Sequence, residues 1–233
     1  MDGATDLTRF LAAVDRDGAL AETQAAAATR LSRRGLLGAS LAGAGTILLA
    51  RTSGAAAAGG LPASDVDILN FALVLEYLQA SFYTEAERSG ALSGKAAQAA
   101  TVVGATERAH VKAFRNLLGT QAVKRPLFDF QGTTEQQRAF LKTAVAFEDL
   151  AVAAYKGQAP KLRSNAVLAA AVGIHSVEAR HAAWMRELFG ITPAVNAFDR
   201  PASRAQITRI VASTKFIVSK PRVTGRDKPS LTG

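Results

Sequence analysis

The sequence predicts an all-α protein, a four-helix bundle of two antiparallel hairpins joined by one long crossover. Three observations carry that prediction. Apolar residues recur at helical spacing through four segments that Gly and Pro separate. The links between the first two and the last two segments are short, whereas the middle link is long. Each segment also holds a carboxylate near or just past its middle, in the order Glu76, Glu107, Glu148 and Glu178. His110 follows Glu107 by three residues, and His181 follows Glu178 by three.

The first helix is expected over about residues 64–89. Ser64 is a candidate N-cap, Gly90 a stop, and Ile68, Phe71, Leu75, Leu78 and Phe82 form its apolar stripe. The second is expected over about 93–118, closed by Gly119. The third is expected to start near Thr133 or Thr134, with Gln136 and Gln137 close behind, and to end near Gly157. The fourth is expected over about 164–189, with Gly190 as its C-terminal glycine and Pro193 beyond. A helix of about 24 residues is roughly 36 Å long. An extended link of about fourteen residues, as from Gly119 to Gly132, reaches about 46 Å. It can run the length of the bundle.

Composition supports helices and narrows the chemistry. Between Asp65 and Leu188 the only prolines are Pro126 and Pro160, and both fall in the expected links. No cysteine is present, which excludes disulfides, iron–sulfur clusters and thiolate zinc sites. A transition metal would have to be held by imidazole and carboxylate. The net charge of +9 is uneven. Residues 200–233 hold eight Lys/Arg against one Asp, while residues 58–199 hold fourteen against thirteen acids. The basic pI therefore belongs mainly to the tail, and no nucleic-acid partner is expected.

Residues 1–58 read as a leader to be cleaved. Ser32-Arg33-Arg34-Gly35-Leu36-Leu37 precedes an apolar run to Ala50, then Arg51 and the small-residue stretch from Gly54 to Gly60. A charged region, a short apolar segment and Ala-x-Ala choices are the parts of an export signal. The paired arginines resemble the twin-arginine class. This implies the twin-arginine translocase as a partner during export and a periplasmic, extracellular or cell-envelope location. Residues 59–199 are expected to form the bundle and 200–233 a basic, partly disordered extension. Within the extension, Ile207 to Val218 is apolar enough to form a short element against the bundle. The tail's charge allows electrostatic contact with anionic envelope polymers, or simply solubility.

The carboxylate and histidine pattern points to a two-metal site. Residues three apart share a helix face. In Glu-x-x-His the carboxylate can reach across two metals while the imidazole binds one. The lone Glu76 and Glu148 can close the outer sides, and four carboxylates offset two divalent cations. A single Glu-x-x-His is ordinarily a solvated pair. Here two of three histidines carry it, and Glu76 and Glu148 sit in apolar runs where an unpartnered carboxylate is costly. The candidate ligands are Glu76, Glu107, His110, Glu148, Glu178 and His181, and the expected cofactor is two iron or manganese ions. Four neighbours are candidates to support them. Asp149 either holds an imidazole N–H or is an ordinary exposed acid. His175 is either near the same face or a surface residue. Tyr83 and Tyr155 are core residues or redox-active neighbours. They also mark a repeat, Glu76-x-Leu78-x-x-x-x-Tyr83 and Glu148-x-Leu150-x-x-x-x-Tyr155, which suggests two hairpins related by an approximate two-fold axis.

With these residues in view, the chain resembles a ferritin-like family of exported bacterial proteins related to plant desiccation-associated proteins. The likeness is carried by Asp67-Ile68-Leu69-Asn70-Phe71-Ala72-Leu73-Val74-Leu75-Glu76-Tyr77-Leu78 and covers about residues 64–189, with some likeness on toward Ile217. The ligand motif is shared with ferritins, rubrerythrins and manganese catalases, so it identifies a site better than a reaction. The resemblance implies Glu76 and Glu148 as terminal carboxylates, Glu107 and Glu178 as bridging ones, and His110 and His181 as nitrogen ligands. Gln79 stands where an acid would enlarge that set. The function expected is a dinuclear metal protein acting on oxygen, peroxide or ferrous iron, as a ferroxidase or a peroxidase- or catalase-like oxidoreductase. A homo-oligomer is compatible with this. The rival expectation is a non-catalytic stress or desiccation protectant, or an envelope scaffold, with a structural metal site.

Overall fold

The computed structural model describes residues 60–219. The leader over 1–58 and the terminal part of the basic extension lie outside the described residues. Five helices and two short strands follow in order. They are α1 (Ala63–Ser89), α2 (Gly94–Leu118), β1 (Leu127–Phe128), α3 (Gln137–Gln158), α4 (Asn165–Phe189), α5 (Arg204–Thr214) and β2 (Ile217–Val218). Helix α1 packs chiefly on α2 and α3 on α4, with α1–α3 and α2–α4 contacts across the middle. This is the expected pair of hairpins. Among the described residues, no helix is long and apolar enough to cross a membrane.

The helix ends follow local chemistry, with some corrections to the sequence reading. Gly90 and Gly190 close α1 and α4 in the left-handed conformation, at φ 65° and 86°. Ser164 caps α4 by accepting from the Val167 N–H. Helix α1 begins one residue earlier than expected, after Pro62, and Ser64 donates to Asp65 instead of capping. Helix α3 begins at Gln137, later than expected. Its N-cap position is Gln136, and Thr133 and Thr134 lie ahead of it, where their hydroxyls donate to the Phe130 carbonyl and to Glu85.

The crossover and the C-terminal extension meet, which the sequence did not predict. Strands β1 and β2 pair antiparallel, Leu127 opposite Val218 and Phe128 opposite Ile217. An aromatic cluster anchors them. Phe82 stacks on Phe140 at 5.3 Å and meets Phe130 and Phe147 edge-on at 5.3 and 5.0 Å. Phe216 meets Phe130 and Phe147 edge-on from the extension. The expected short element after Ile207 is therefore α5 plus β2, and it starts earlier, at Arg204, with Ser203 and Gln206 forming a capping box. Ile207 and Val211 are buried, so the part of the extension up to β2 is integral to the fold.

Candidate metal centre

Glu76 lies in the apolar middle of α1 and Glu148 in that of α3. Glu107 and His110 share one face of α2, as Glu178 and His181 share one face of α4. Hairpin pairing brings these midpoints to one level, and the structure places all six side chains together. The four carboxylates are fully buried, and His110 and His181 are only 1% and 7% exposed. The six fall into two overlapping groups. Glu76, Glu107, His110 and Glu178 form one, and Glu107, Glu148, Glu178 and His181 the other. Within each group the candidate ligand atoms all lie within 4.8 Å of one another. Glu107 and Glu178 belong to both.

The distances test whether these residues suit cations. His110 Nδ1 lies 3.2 Å from Glu76 Oε2, 3.4 Å from Glu107 Oε2 and 3.3 Å from Glu178 Oε1. One ring N–H can point at only one of three acceptors. Donor atoms spaced in this way match the edge of a coordination polyhedron, about 3.0 Å when metal–ligand distances are about 2.1 Å. His181 Nδ1 lies 3.0 Å from Glu107 Oε1 and 3.5 Å from Glu148 Oε2. Both oxygens of Glu107, Oε2 of Glu148, Oε1 of Glu178 and Nδ1 of His181 are buried with no hydrogen-bond partner. Buried polar atoms are rarely left so, and five in one layer fit a site whose remaining partners are metal ions.

Electrostatics reflects the crowding of like charges. Burial pushes the Glu76 carboxyl up to about 7, against the pull of His110 and the Tyr155 hydroxyl. Burial and the adjacent Glu107 carboxylate push Glu178 well above the carboxylate range. Burial acts on Glu107 too, but the two imidazoles beside it outweigh that and hold it well below the usual range. Burial opposes charge on both imidazoles, yet the carboxylates prevail. Glu76 and Glu107 raise His110 well above its ordinary value, and Glu107 and Glu148 raise His181 to about 10.

The two tyrosines are buried and tied to the site crosswise. Tyr83 of α1 donates to Glu148 Oε1 of α3 at 2.6 Å. Tyr155 of α3 donates to Glu76 Oε1 of α1. Burial and the carboxylates they face raise both hydroxyls well above 10, so each keeps its proton and acts as a donor. The repeat seen in the sequence is thus a reciprocal clamp. Gln79 Nε2 reaches Glu178 Oε2 at 3.5 Å.

Two candidates stand outside the layer. Asp149 accepts from Arg186 Nε and Nη2 at 2.9 and 2.7 Å, and it holds no imidazole. His175 is partly exposed and faces Asp199 at 3.8 Å. Asp149 directly follows Glu148 and His175 lies three residues before Glu178, but both face partners outside the layer. Trp184 packs against the apolar core, as a core residue should. Asp65 escaped the sequence reading although it is fully buried. It accepts from the backbone N–H groups of Arg163 and Ser164 and so ties the start of α1 to the start of α4. An acid directly after a candidate capping serine reads as an ordinary helix start, which hid it.

A bundle of two hairpins with a buried layer of four carboxylates and two imidazoles belongs to the class that builds cofactor sites from side chains on facing helices. The ferritin-like domain family matches residues 64–190, more than half of the chain. The protein is a member of that family. A search of curated proteins returned no match to the chain.

Proposed function

We propose that the layer holds two iron or manganese ions and that the protein acts in ferrous iron oxidation or in oxygen or peroxide chemistry. The observation that supports this most is the sharing of Glu107 and Glu178 between two four-residue groups, with buried oxygens left unpartnered. In this reading Glu76 and His110 hold one ion, Glu148 and His181 the other, and Glu107 and Glu178 bridge. Two such ions supply two-electron redox chemistry and Lewis acidity. The chain's own residues bind, orient and seal. Tyr83 and Tyr155 fix the outer carboxylates through hydroxyls that keep their protons. The near-complete burial of the six ligands excludes bulk water. Elemental analysis of natively produced protein tests the site. Two iron or manganese per chain, absent from a Glu107→Ala, Glu178→Ala variant, is the expected result, and a metal-free native protein would refute it.

The same burial favours a second reading, a stress protectant or envelope scaffold whose metals add folding energy and little else. Turnover separates the two. Loaded protein that consumes neither peroxide nor ferrous iron and oxygen favours the scaffold. We also propose export by the twin-arginine route, on the strength of Arg33-Arg34 and the apolar run after them. An Arg33→Lys, Arg34→Lys variant should stay in the cytoplasm.

A further inference from the structure

On the flank of the α1–α2 hairpin, where the crossover passes, lies a cleft of ≈ 530 Å³ that the proposed chemistry does not use. Arg108, Lys112 and Arg115 of α2 line it together with Arg125 of the crossover, and no acid is among its lining residues. The α2 cations are spaced by four and three residues, so they form one stripe along the helix. Like charges so placed repel one another. Attraction to the C-terminal end of the helix dipole accounts for Arg115, in the last turn of α2. It does not account for Arg108 or Lys112, which lie before that turn.

The four cations are not equivalent. Arg108 Nη1 donates to Glu87 Oε1 and to Thr84 Oγ1, both at 3.0 Å. Arg125 Nη1 donates to the hydroxyl of the buried Ser81 at 3.4 Å. Two guanidinium groups are thus anchored on the α1 wall. Burial, and after it Arg88, hold the Arg125 guanidinium below its ordinary value, against the pull of Tyr77. A neighbouring anion would offset that cost. Lys112 and Arg115 are exposed, and neither side chain has a hydrogen-bond or ion-pair partner among the described residues. Glu87 answers one of the four charges, which leaves three in walls that hold no acid.

We propose that this cleft binds a small organic molecule carrying two phosphoryl groups. Two such groups carry about −3 to −4 charge near neutral pH, which matches the three cations left over. Guanidinium forks suit phosphoryl oxygens, and Lys112 adds a compact point charge. Ala80 and Val111, also in the walls, offer apolar surface to the carbon skeleton. The volume falls in the usual range of small-molecule sites, about 300–1,000 Å³, and is more than a lone phosphate would fill. A basic stripe that served solubility alone would need neither a concave wall nor a guanidinium anchored on a buried hydroxyl. The site stands independently of the metal reading, since none of the six candidate ligands lines it.

The test is calorimetric titration of the full chain, metal-loaded and metal-free, with fructose 1,6-bisphosphate, glucose 6-phosphate and tricarballylate at about 0.15 M salt. Saturable binding of the bisphosphate is expected in both forms, about tenfold or more tighter than that of the monophosphate or the tricarboxylate. A Lys112→Gln, Arg115→Gln variant, altered only at exposed positions, should weaken it by about tenfold or more. Lys112→Arg should keep it within about threefold, since the charge remains. A Lys220→Gln, Arg222→Gln variant removes the same charge from the basic extension and should change affinity by less than about twofold. In the unaltered protein, the bisphosphate should shift the side-chain resonances of Lys112 and Arg115, a readout that needs no variant to fold. Absence of saturable bisphosphate binding, equal or tighter binding of either other anion, unchanged affinity in the folded Lys112→Gln, Arg115→Gln variant, or a loss seen only in the extension variant would each overturn the proposal.

Discussion

Tyr83 and Tyr155 are equivalent by position in the repeat and equivalent in role, since each reaches across to the outer carboxylate of the other hairpin. Replacing either by Phe keeps the ring in the core and removes one donor to a buried carboxylate oxygen. Leaving that oxygen unsatisfied should cost about 1–3 kcal/mol in the metal-free protein. Groups that orient a ligand typically alter metal affinity by roughly 10–100-fold. Tyr83→Phe and Tyr155→Phe should therefore each weaken metal retention by about that factor against a competing chelator, with two metals still bound at saturation. Equal losses from the two variants would support the two-fold relation. Loss from one alone would break it. The symmetry is already imperfect at one point, where Gln79 reaches Glu178 while the corresponding position on α3, three residues after Glu148, is Ala151.

At the scale of elements, two contacts decide how the helices are fastened. Asp65 holds the entry to α4 through the N–H groups of Arg163 at 3.0 Å and Ser164 at 2.9 Å. Asp65→Ala leaves both donors without that acceptor, and chemical unfolding should show a loss of about 2–3 kcal/mol. Asp65→Asn should recover part of it, because the amide oxygen still accepts. The second contact is the passage of the chain at Ala202 over α3. Ala202 N–H donates to the Ala153 carbonyl at 3.0 Å, and a Cβ at Gly157 would lie 2.0 Å from the Ala202 carbonyl oxygen. Gly to Ala inside a helix ordinarily stabilises by about 1 kcal/mol. Here the obstacle is backbone, so the sign should reverse. We expect Gly157→Ala to destabilise by about 1–3 kcal/mol and to loosen α5, seen as faster amide exchange at Ile207 and Val211.

Across the whole molecule, what the sequence made legible was what depends on spacing along one helix. The four bundle helices, their pairing and the six side chains of the layer all follow from the 3.6-residue period and from link lengths. What escaped it depends on contacts between distant segments. Phe216 and Phe130 meet only because the extension returns to the crossover, and no local pattern in either stretch shows it. His175 and Asp149 were candidates because they lie near the ligands in sequence, yet Asp149, one position after Glu148, turns to Arg186, and His175, three positions before Glu178, turns to Asp199. The layer itself is where these scales join, since its ligands come from all four helices. Ions held there should stabilise the molecule globally and not one hairpin. At a free metal concentration 100 times the dissociation constant, each site adds about 2.7 kcal/mol. Two sites then add roughly 5 kcal/mol, which for a domain of this size raises the unfolding midpoint by about 10–20 °C. Chelation should remove that increment in a single transition, and re-addition of iron or manganese should restore it. A Glu107→Ala, Glu178→Ala variant that still folds should show no metal-dependent shift, because both sites share those two carboxylates. A shift confined to one of two resolved transitions would instead mean that the hairpins unfold separately, with no shared layer joining them.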